Sequence, residues 1–305
     1  MIEYSQALLL ITTALTVVAT VAYFGAVLAA RMARNPAPTP AKVSVTSDGV
    51  VVGEGEVTVT GGSRHVASRR FTITWWATKL TLLALLLLTG ALVTRMIATG
   101  HAPFSNHYEF ALSFAWGMLL AQVYFEWRHR IRTMAIITMP VILAMLIYAS
   151  TMSYQPNPLM PALRNSPLLT LHVITAAVGY GAAVVSFAAA VMFLLAPHVT
   201  WRGWPSRDAL DELGYKATVV VFPMLTLMLI LGSIWANVAW GRYWGWDPKE
   251  TSALVTWLIY GAYLHARVTR SWRGSKSAWL LILGFVAVVF TYLGNMFFGG
   301  LHAYV

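Results

Sequence analysis

The chain has 305 residues, of which 58% are hydrophobic and only 10% are charged. Soluble chains carry roughly a quarter charged residues, so this composition excludes an ordinary soluble domain and indicates a membrane protein. There is no cysteine, which excludes disulfides, thiolate catalysis and iron–sulfur ligation by this chain. The net charge of +10 would suit a nucleic-acid binder, but the basic residues follow a membrane topology instead.

Eight apolar runs recur along the chain, each close to the ~20 residues that a helix needs to cross a hydrocarbon core of ~30 Å. The runs are continuous rather than alternating, and a spanning backbone must satisfy its own hydrogen bonds, so helices are predicted. The predicted helices cover residues 6–30, 75–98, 108–127, 134–152, 167–196, 217–235, 252–270 and 277–298. The first run exceeds a signal-peptide core and lacks a basic stretch before it, so it is interpreted as a retained helix.

Lysine and arginine lie mostly in alternate connections between the predicted helices. Sixteen of the 21 fall in the segments 31–74, 128–133, 197–216 and 267–276. Because cytoplasmic segments carry the excess of basic residues, both termini are predicted to be extracytoplasmic. Clusters that bind nucleic acid or anionic lipid are the alternative, but they would not alternate so regularly with the helices. The predicted fold class is thus an all-α polytopic integral membrane protein of about eight transmembrane helices, with no nucleic-acid partner.

One non-membrane insert separates the first two helices. Its residues 43–62 alternate valine and threonine around Ser47-Asp48-Gly49, a pattern typical of a β-hairpin. Residues 1–74 are therefore interpreted as the first transmembrane helix with a cytoplasmic insert, and residues 75–305 as a seven-helix core. The insert contains no catalytic constellation and is interpreted as a linker or docking element.

Three of the eight histidines are candidates for chemistry. His172 lies about five residues inside the outer end of helix five, and His302 follows helix eight, so both are expected at the outer surface. His265 lies within helix seven, where an ionisable residue is a functional candidate by default. Simpler interpretations stay open. His172 and His302 would be interfacial histidines bound to water or lipid, and His265 would hydrogen-bond a neighbouring helix or extend toward the inner membrane surface.

The segment 235–251, WANVAWGRYWGWDPKET, is predicted outside the membrane between helices six and seven. An aromatic belt at the interface would account for its tryptophans, but not for its glycines or its Asp-Pro-Lys-Glu ending. Indoles beside glycines form a platform for a large planar apolar ligand whose carboxylates Lys249 and Arg242 could pair with. Haem with two axial histidines is such a ligand. Asp247 and Glu250 are expected either to orient a histidine or arginine or to cap helix seven.

At these residues the sequence resembles a known family. WGRYWGWDPKET is similar to the WWD signature of haem-handling proteins of cytochrome c maturation. The layout of helices two to eight, with PFSNHYEFALSFAW, LLTLHVITAAVGYG, WLIYGAYLH and GLHAY, resembles the CcsA/ResC family, the membrane component of the system II cytochrome c synthetase. The resemblance implies that His172 and His302 are axial ligands of haem iron at the outer surface, and that His265 ligates haem within the membrane. The other residues expected to bind haem are Trp235, Asn237, Trp240, Gly241, Tyr243, Trp244, Trp246, Asp247, Lys249 and Glu250.

The function that the resemblance implies is cytochrome c biogenesis. Haem b, bound as a substrate or intermediate, would be presented at the extracytoplasmic surface of a cytoplasmic or thylakoid membrane and joined by thioether bonds to Cys-x-x-Cys-His of apocytochrome c. The resemblance also implies conveyance of haem across the membrane and a CcsB/ResB-type membrane partner, together forming a holocytochrome c synthase, or haem lyase. No nucleophile of the chain's own is expected.

Four features depart from the family pattern, and two other function classes remain open. His107 stands where an apolar residue is expected, so it is given no ligand role, and the valine-rich insert is not required by the core family. Ser252 stands where many members carry another tryptophan, and Val238 where an acidic residue is frequent, so the platform is expected to be smaller or less polar. A b-type haem electron-transfer subunit would also use histidines in a helical bundle. A solute transporter would show broken helices and polar residues at the membrane midplane.

Overall fold

A computed structural model describes residues 1–32, 72–156, 159–163, 167–199, 203–294 and 297–302. The predicted hairpin at 43–62 lies outside the described residues. Within them the structure is all-α, with eight α-helices and three short 3₁₀ turns. The helices are α1 (Ile2–Met32), α2 (Ile73–Thr99), α3 (His107–His129), α4 (Ala135–Thr151), α5 (Pro167–Leu195), α6 (Arg207–Trp240), α7 (Pro248–Thr269) and α8 (Ser275–Leu293).

Six of these helices are long and apolar enough to cross a membrane, and α3 and α7 accompany them. α3 is less apolar because it contributes two buried carboxylates, Glu109 and Glu126, to the interior of the bundle. α7 begins with Lys249 and Glu250 in its first turn. The predicted class, an all-α polytopic membrane protein with eight helices, is confirmed.

The predicted limits of helix six, 217–235, are wrong. α6 begins ten residues earlier because its first turns are polar yet helical, and the Ser206 hydroxyl accepts a hydrogen bond from the Ala209 amide at 3.2 Å. It also continues to Trp240, where Gly241 ends it with a φ of +72°. The first part of the tryptophan-rich segment is therefore helix rather than loop. α8 ends at Leu293, five residues before the predicted limit.

α5 is the central helix and packs against α3, α6 and α8. It crosses α3 at two glycines. A Cβ atom at Gly117 would collide with the Ala177 carbonyl, and one at Gly181 would collide with the Gly117 carbonyl. Small residues of this kind let helix backbones approach closely inside a membrane. The crossing holds α3 and α5 together beneath the end of the bundle where α6 leads into α7.

The Gly181→Ala variant is expected to unfold at a lower temperature than the wild type. Alanine normally stabilises a helix by about 1 kcal/mol relative to glycine, but overpacking at this crossing costs about 1–3 kcal/mol or more. Gly25→Ala in α1 is the matched control, because a Cβ atom there meets nothing within 4 Å. Thermal unfolding of both variants in the same detergent tests the crossing. Equal midpoints for the two variants would contradict it.

A buried ion pair fixes the connection between α2 and α3. The Arg95 Nε atom lies 2.6 Å from Glu109 Oε1, and both side chains are fully buried. The other carboxylate oxygen of Glu109 accepts hydrogen bonds from the Ser105 amide at 2.7 Å and from its hydroxyl at 2.6 Å. This connection places Phe104 in a small hydrophobic cluster with Trp235. The ion pair therefore helps to position the segment that packs against Trp235.

Candidate ligand-binding cleft

A cleft of roughly 720 Å³, counting its open mouth, lies where α6 passes into α7. Its walls come from α3, α5, α6, α7 and α8 and from the turn that follows α6. Most of the lining is apolar or aromatic. The polar side chains with metal-binding or charged groups in it are His172, Lys249, Glu250 and His302.

His172 projects from α5 and is held by the backbone of α6. Its Nδ1 atom lies 2.7 Å from the Met228 carbonyl oxygen. Because a carbonyl can only accept, Nδ1 carries the proton and the lone pair of the ring is on Nε2. A Cβ atom at Gly232 would lie 2.7 Å from His172 Cε1, so only glycine leaves room for the imidazole. The ring is thus fixed in one tautomer and one orientation.

His302 is fixed in the same tautomer by a different acceptor. Its Nδ1 atom lies 2.9 Å from Asp247 Oδ2, and the Leu301 amide donates to Asp247 Oδ1 at 2.6 Å. The same carboxylate caps α7, since Oδ2 also accepts from the Lys249 amide at 3.0 Å. A Cβ atom at Gly300 would collide with Asp247 Oδ1. One carboxylate therefore starts α7 and positions the turn that carries His302.

Asp247 is an anion in this arrangement. Burial raises the pKa of its carboxyl group, but the hydrogen bonds from His302 and from the amides of Lys249 and Leu301 outweigh it and lower the pKa to about 2. A carboxylate that accepts a hydrogen bond from the Nδ1–H group of a histidine increases the basicity of the other ring nitrogen. In the structure Asp247 both caps α7 and contacts a histidine, the two arrangements that the sequence left as alternatives.

Glu250 shapes the turn that leads into α7. Its Oε2 atom accepts hydrogen bonds from the amides of Gly245 at 2.7 Å and Asp247 at 3.2 Å, which completes a capping box with Asp247. The turn holds Trp246 at a φ of +57°, a conformation that bulky residues rarely adopt. The Trp246 side chain is 70% exposed as a result. The turn is therefore preorganised, and it directs one indole away from the cleft.

Trp235 lies close to both histidines. Its ring centroid is 6.4 Å from that of His172, with planes 14° apart, and 6.0 Å from that of His302. Trp240 packs edge-on against Trp235 at 4.8 Å and against His302 at 4.9 Å. The indole is 2% exposed, yet its N–H has no hydrogen-bond partner among the described residues. Buried donors of this kind are rare, and a ligand that supplies an acceptor or displaces the ring would resolve the mismatch.

Lys249 is the basic residue of the cleft lining. It lies in the first turn of α7, where the helix dipole disfavours a positive charge. Its Nζ atom is 5.6 Å from the ring centroid of Phe110. A cation on the wall of an apolar cleft is suited to an anionic group on the ligand.

The structure brings together most, but not all, of the residues predicted from the sequence. Of the ten residues other than histidine, Tyr243, Trp244, Lys249 and Glu250 line the cleft. Trp235, Trp240 and Asp247 contact its histidines. Asn237, Gly241 and Trp246 do not line it: the Asn237 carbonyl accepts the amide of Gly241 at 2.9 Å in the cap of α6. Arg242 packs over Gly245 and is exposed.

His265 lies apart from the cleft. It is exposed on α7, and by helix length it is roughly 27 Å from Asp247. The cleft therefore contains two of the three predicted histidine ligands. Met228, Gly232 and Phe110 complete it but were not predicted from the sequence, because a backbone carbonyl, an absent side chain and a stacked ring leave no motif.

The two histidines of the cleft suit a metal ion that is already held by a porphyrin or a similar ligand. Among the described residues, no group of three or more histidine, aspartate or glutamate side chains is placed to hold a metal ion. Two basic imidazole nitrogens at one apolar cleft, beside a lysine, match the needs of an iron porphyrin: axial nitrogens, apolar faces and a cation for its carboxylates. The residues present fit haem better than a bare ion.

Comparison with known proteins identifies the family. A family model described as "Cytochrome C assembly protein" matches residues 104–302. The chain belongs to the CcsA family. It is similar to the cytochrome c biogenesis protein CcsA of Guillardia theta, with 36% identity over 73% of this chain and 83% of the relative. It is likewise similar to CcsA of Gloeobacter violaceus, with 34% identity over 72% of this chain and 83% of the relative. CcsA of Prochlorococcus marinus strain MIT 9312 is 36% identical over 74% and 83%, respectively.

The cleft lies wholly inside the part of the chain that defines this CcsA-family protein. The family match begins at Phe104 and ends at His302, so it contains α3 to α8 and every residue of the cleft lining. α1 and α2 lie before it. The resemblance to the CcsA/ResC family that the sequence motifs indicated is therefore confirmed.

Proposed function

We propose that this CcsA-family protein acts in cytochrome c biogenesis by binding haem b in the cleft, with His172 and His302 as axial ligands, and by promoting its covalent attachment to apocytochrome c. One observation carries the proposal. Two histidines from distant parts of the chain line one apolar cleft, and each donates its Nδ1 proton to an oxygen, so that each ring has its lone pair on Nε2. That is the tautomer in which histidine ligates a metal through Nε2.

The chain's own residues would bind and orient haem rather than attack it. Lys249 would pair with a propionate, and Tyr243 and Trp244 would cover the mouth of the cleft. Each thioether bond forms when a substrate S–H adds across a vinyl C=C, with sulfur on one carbon and the proton on the other, so no electrons are gained or lost. Holding the vinyl edge near the thiols of Cys-x-x-Cys-His is catalysis by proximity. Because this chain contains no cysteine, it has no thiol that could compete with those of the substrate.

The histidine of the substrate motif would replace one axial ligand and so release the product. His302 is suited to this exchange because it sits on a turn beyond α8, whereas His172 is held within α5. Asp247 is then the group that returns His302 to the cleft after release. Because His302 lies outside the helices, it can exchange without unfolding one.

His265 would serve a second haem position deeper in the membrane. Its exposure on α7 suits a ligand that is completed by another chain, and a CcsB/ResB-type partner is the expected source. Haem would leave this position toward the extracytoplasmic side of the bilayer, where the cleft lies. The excess of lysine and arginine in alternate connections supports a location in the cytoplasmic or thylakoid membrane with both termini and the cleft on the extracytoplasmic side. With its partner the protein would constitute a holocytochrome c synthase.

Two measurements test the proposal against its rivals. The purified protein with its partner is expected to show the Soret and α bands of a six-coordinate b-type haem, which a solute transporter would lack. Co-expression with a secreted Cys-x-x-Cys-His peptide is expected to yield haem that stays on the peptide after extraction with acidic acetone, which an electron-transfer subunit would not produce. Haem-free protein, or a peptide that never retains haem, would contradict the proposed function.

A further inference from the structure

A second cavity lies beside the cleft on the side of the bundle that faces lipid. Its empty volume is about 730 Å³, counting the open space at its side, and it is bordered by α3, α4, α5 and α8. Its lining contains no charged side chain, and its hydroxyl groups belong to tyrosines. Apart from Val141, the residues from α4 and α8 come from the halves of those helices nearer to the cleft end. Ala144 and Val289 line the cavity and are themselves exposed, so it opens sideways between these two helices.

Three aromatic rings form the wall between this cavity and the cleft. Phe114, Tyr180 and Tyr292 line both spaces. Phe114 stacks on Tyr180 with ring centroids 5.3 Å apart, and it meets Tyr292 edge-on at 5.0 Å. Tyr148 of α4 contacts Tyr292 from the lipid side at 6.5 Å. Rotation of these three rings would join the two spaces without moving a helix.

We propose that haem reaches the cleft sideways from the bilayer through this cavity, with Phe114, Tyr180 and Tyr292 as the gate. The inference rests on the proposed function, because it takes haem as the ligand of the cleft. An amphipathic porphyrin in a bilayer keeps its propionates near the headgroups and its ring among the acyl chains. The cavity offers an apolar slot at that depth, and Lys249 lies beyond the gate to receive a propionate. A lipid acyl chain that merely fills the cavity is the alternative that the experiment must separate.

The absence of cysteine allows a reversible block of the slot in the folded protein. The Met145→Cys variant places a single thiol on the cavity lining, and Ile147→Cys places one on the lipid-exposed side of the same helix as the matched control. Full-length protein in phosphatidylcholine–phosphatidylglycerol nanodiscs is labelled with a benzyl methanethiosulfonate, and the mass is checked. Hemin is then supplied from vesicles of the same lipids, and the Soret shift of the bis-histidine form is followed in time.

Labelled Met145→Cys protein is expected to take up hemin at about one tenth of the wild-type rate or below, and to reach the same final occupancy. Its rate should recover when reductant removes the label. Labelled Ile147→Cys protein is expected to load at the wild-type rate. Unchanged loading of the blocked variant would overturn the lateral route and leave the proposed function standing. Loss of final occupancy would also overturn it, since the cavity would then be part of the site. Wild-type protein with no Soret shift would instead overturn the proposed function, and the route with it.

Discussion

The His172→Ala and His302→Ala variants are expected to lose the haem of the cleft. Each change removes one of two axial nitrogens, while the apolar walls and Lys249 remain. Removing only a group that orients a metal ligand costs about 10–100-fold in affinity, so removing the ligand itself is expected to cost at least that much. The haem content per protein, measured by pyridine haemochrome after purification, should fall accordingly. Attachment of haem to a co-expressed Cys-x-x-Cys-His peptide should fall with it.

Other histidines of the chain provide matched controls for this result. His101 contacts the Ala102 carbonyl in a separate pocket, and His129 stacks on Phe125 at the far end of α3. Alanine at either position is expected to leave haem content unchanged. His265→Ala is expected to remove only haem that is shared with the partner chain, because His265 lies away from the cleft.

Small-molecule rescue separates a lost ligand from a damaged fold. The His302→Gly variant leaves a space beside Asp247 into which free imidazole can bind. Added imidazole is expected to restore the six-coordinate spectrum, whereas a misfolded variant would not respond. A double variant at His172 and His302 that retains full haem content and full cytochrome c assembly would refute the ligand assignment.

The membrane fold could be predicted from the sequence because hydropathy and charge act over whole helices. All eight helices were predicted, and the limits failed where the apolar run and the helix differ. The start of α6 is polar but capped by Ser206, and its end is set by Gly241 rather than by the last apolar residue. A hydropathy pattern detects the bilayer, whereas helix ends depend on capping hydrogen bonds.

The candidate ligand side chains could be predicted from the sequence, but the contacts that hold them in place could not. His172 and His302 were found because topology and a motif put them on one side. The Met228 carbonyl that fixes His172 belongs to a residue with no polar side chain. Gly232 matters only because it has no side chain that would occupy the space of the imidazole. The buried pair of Arg95 and Glu109 was not predicted either, because the two residues belong to different helices and form no local motif. Such contacts exist only after the helices pack.

The Asp247→Asn variant is expected to bind haem about 10–100-fold more weakly than the wild type, although the side chain keeps its shape. Both oxygens of Asp247 act as acceptors: Oδ2 for His302 and the Lys249 amide, and Oδ1 for the Leu301 amide. Asparagine has one acceptor oxygen, so its NH₂ group must face an N–H donor on one side or the other. His302 would lose its anionic partner and its fixed orientation. Titration of hemin into purified apoprotein measures the change in affinity.

Glu250→Gln is the matched control for Asp247→Asn, since it also replaces a carboxylate of the same turn by an amide. Its two hydrogen bonds, from the amides of Gly245 and Asp247, converge on the single oxygen Oε2, which the amide oxygen of glutamine can replace. Glu250→Gln is therefore expected to keep nearly wild-type affinity. The reduction potential of residual haem separates positioning from simple loss of structure. Without the carboxylate, His302 becomes a less basic ligand and ferrous iron is favoured, so the midpoint potential should rise in Asp247→Asn alone. If both variants bind haem equally and at the same potential, Asp247 does not position His302 and serves only as the cap of α7.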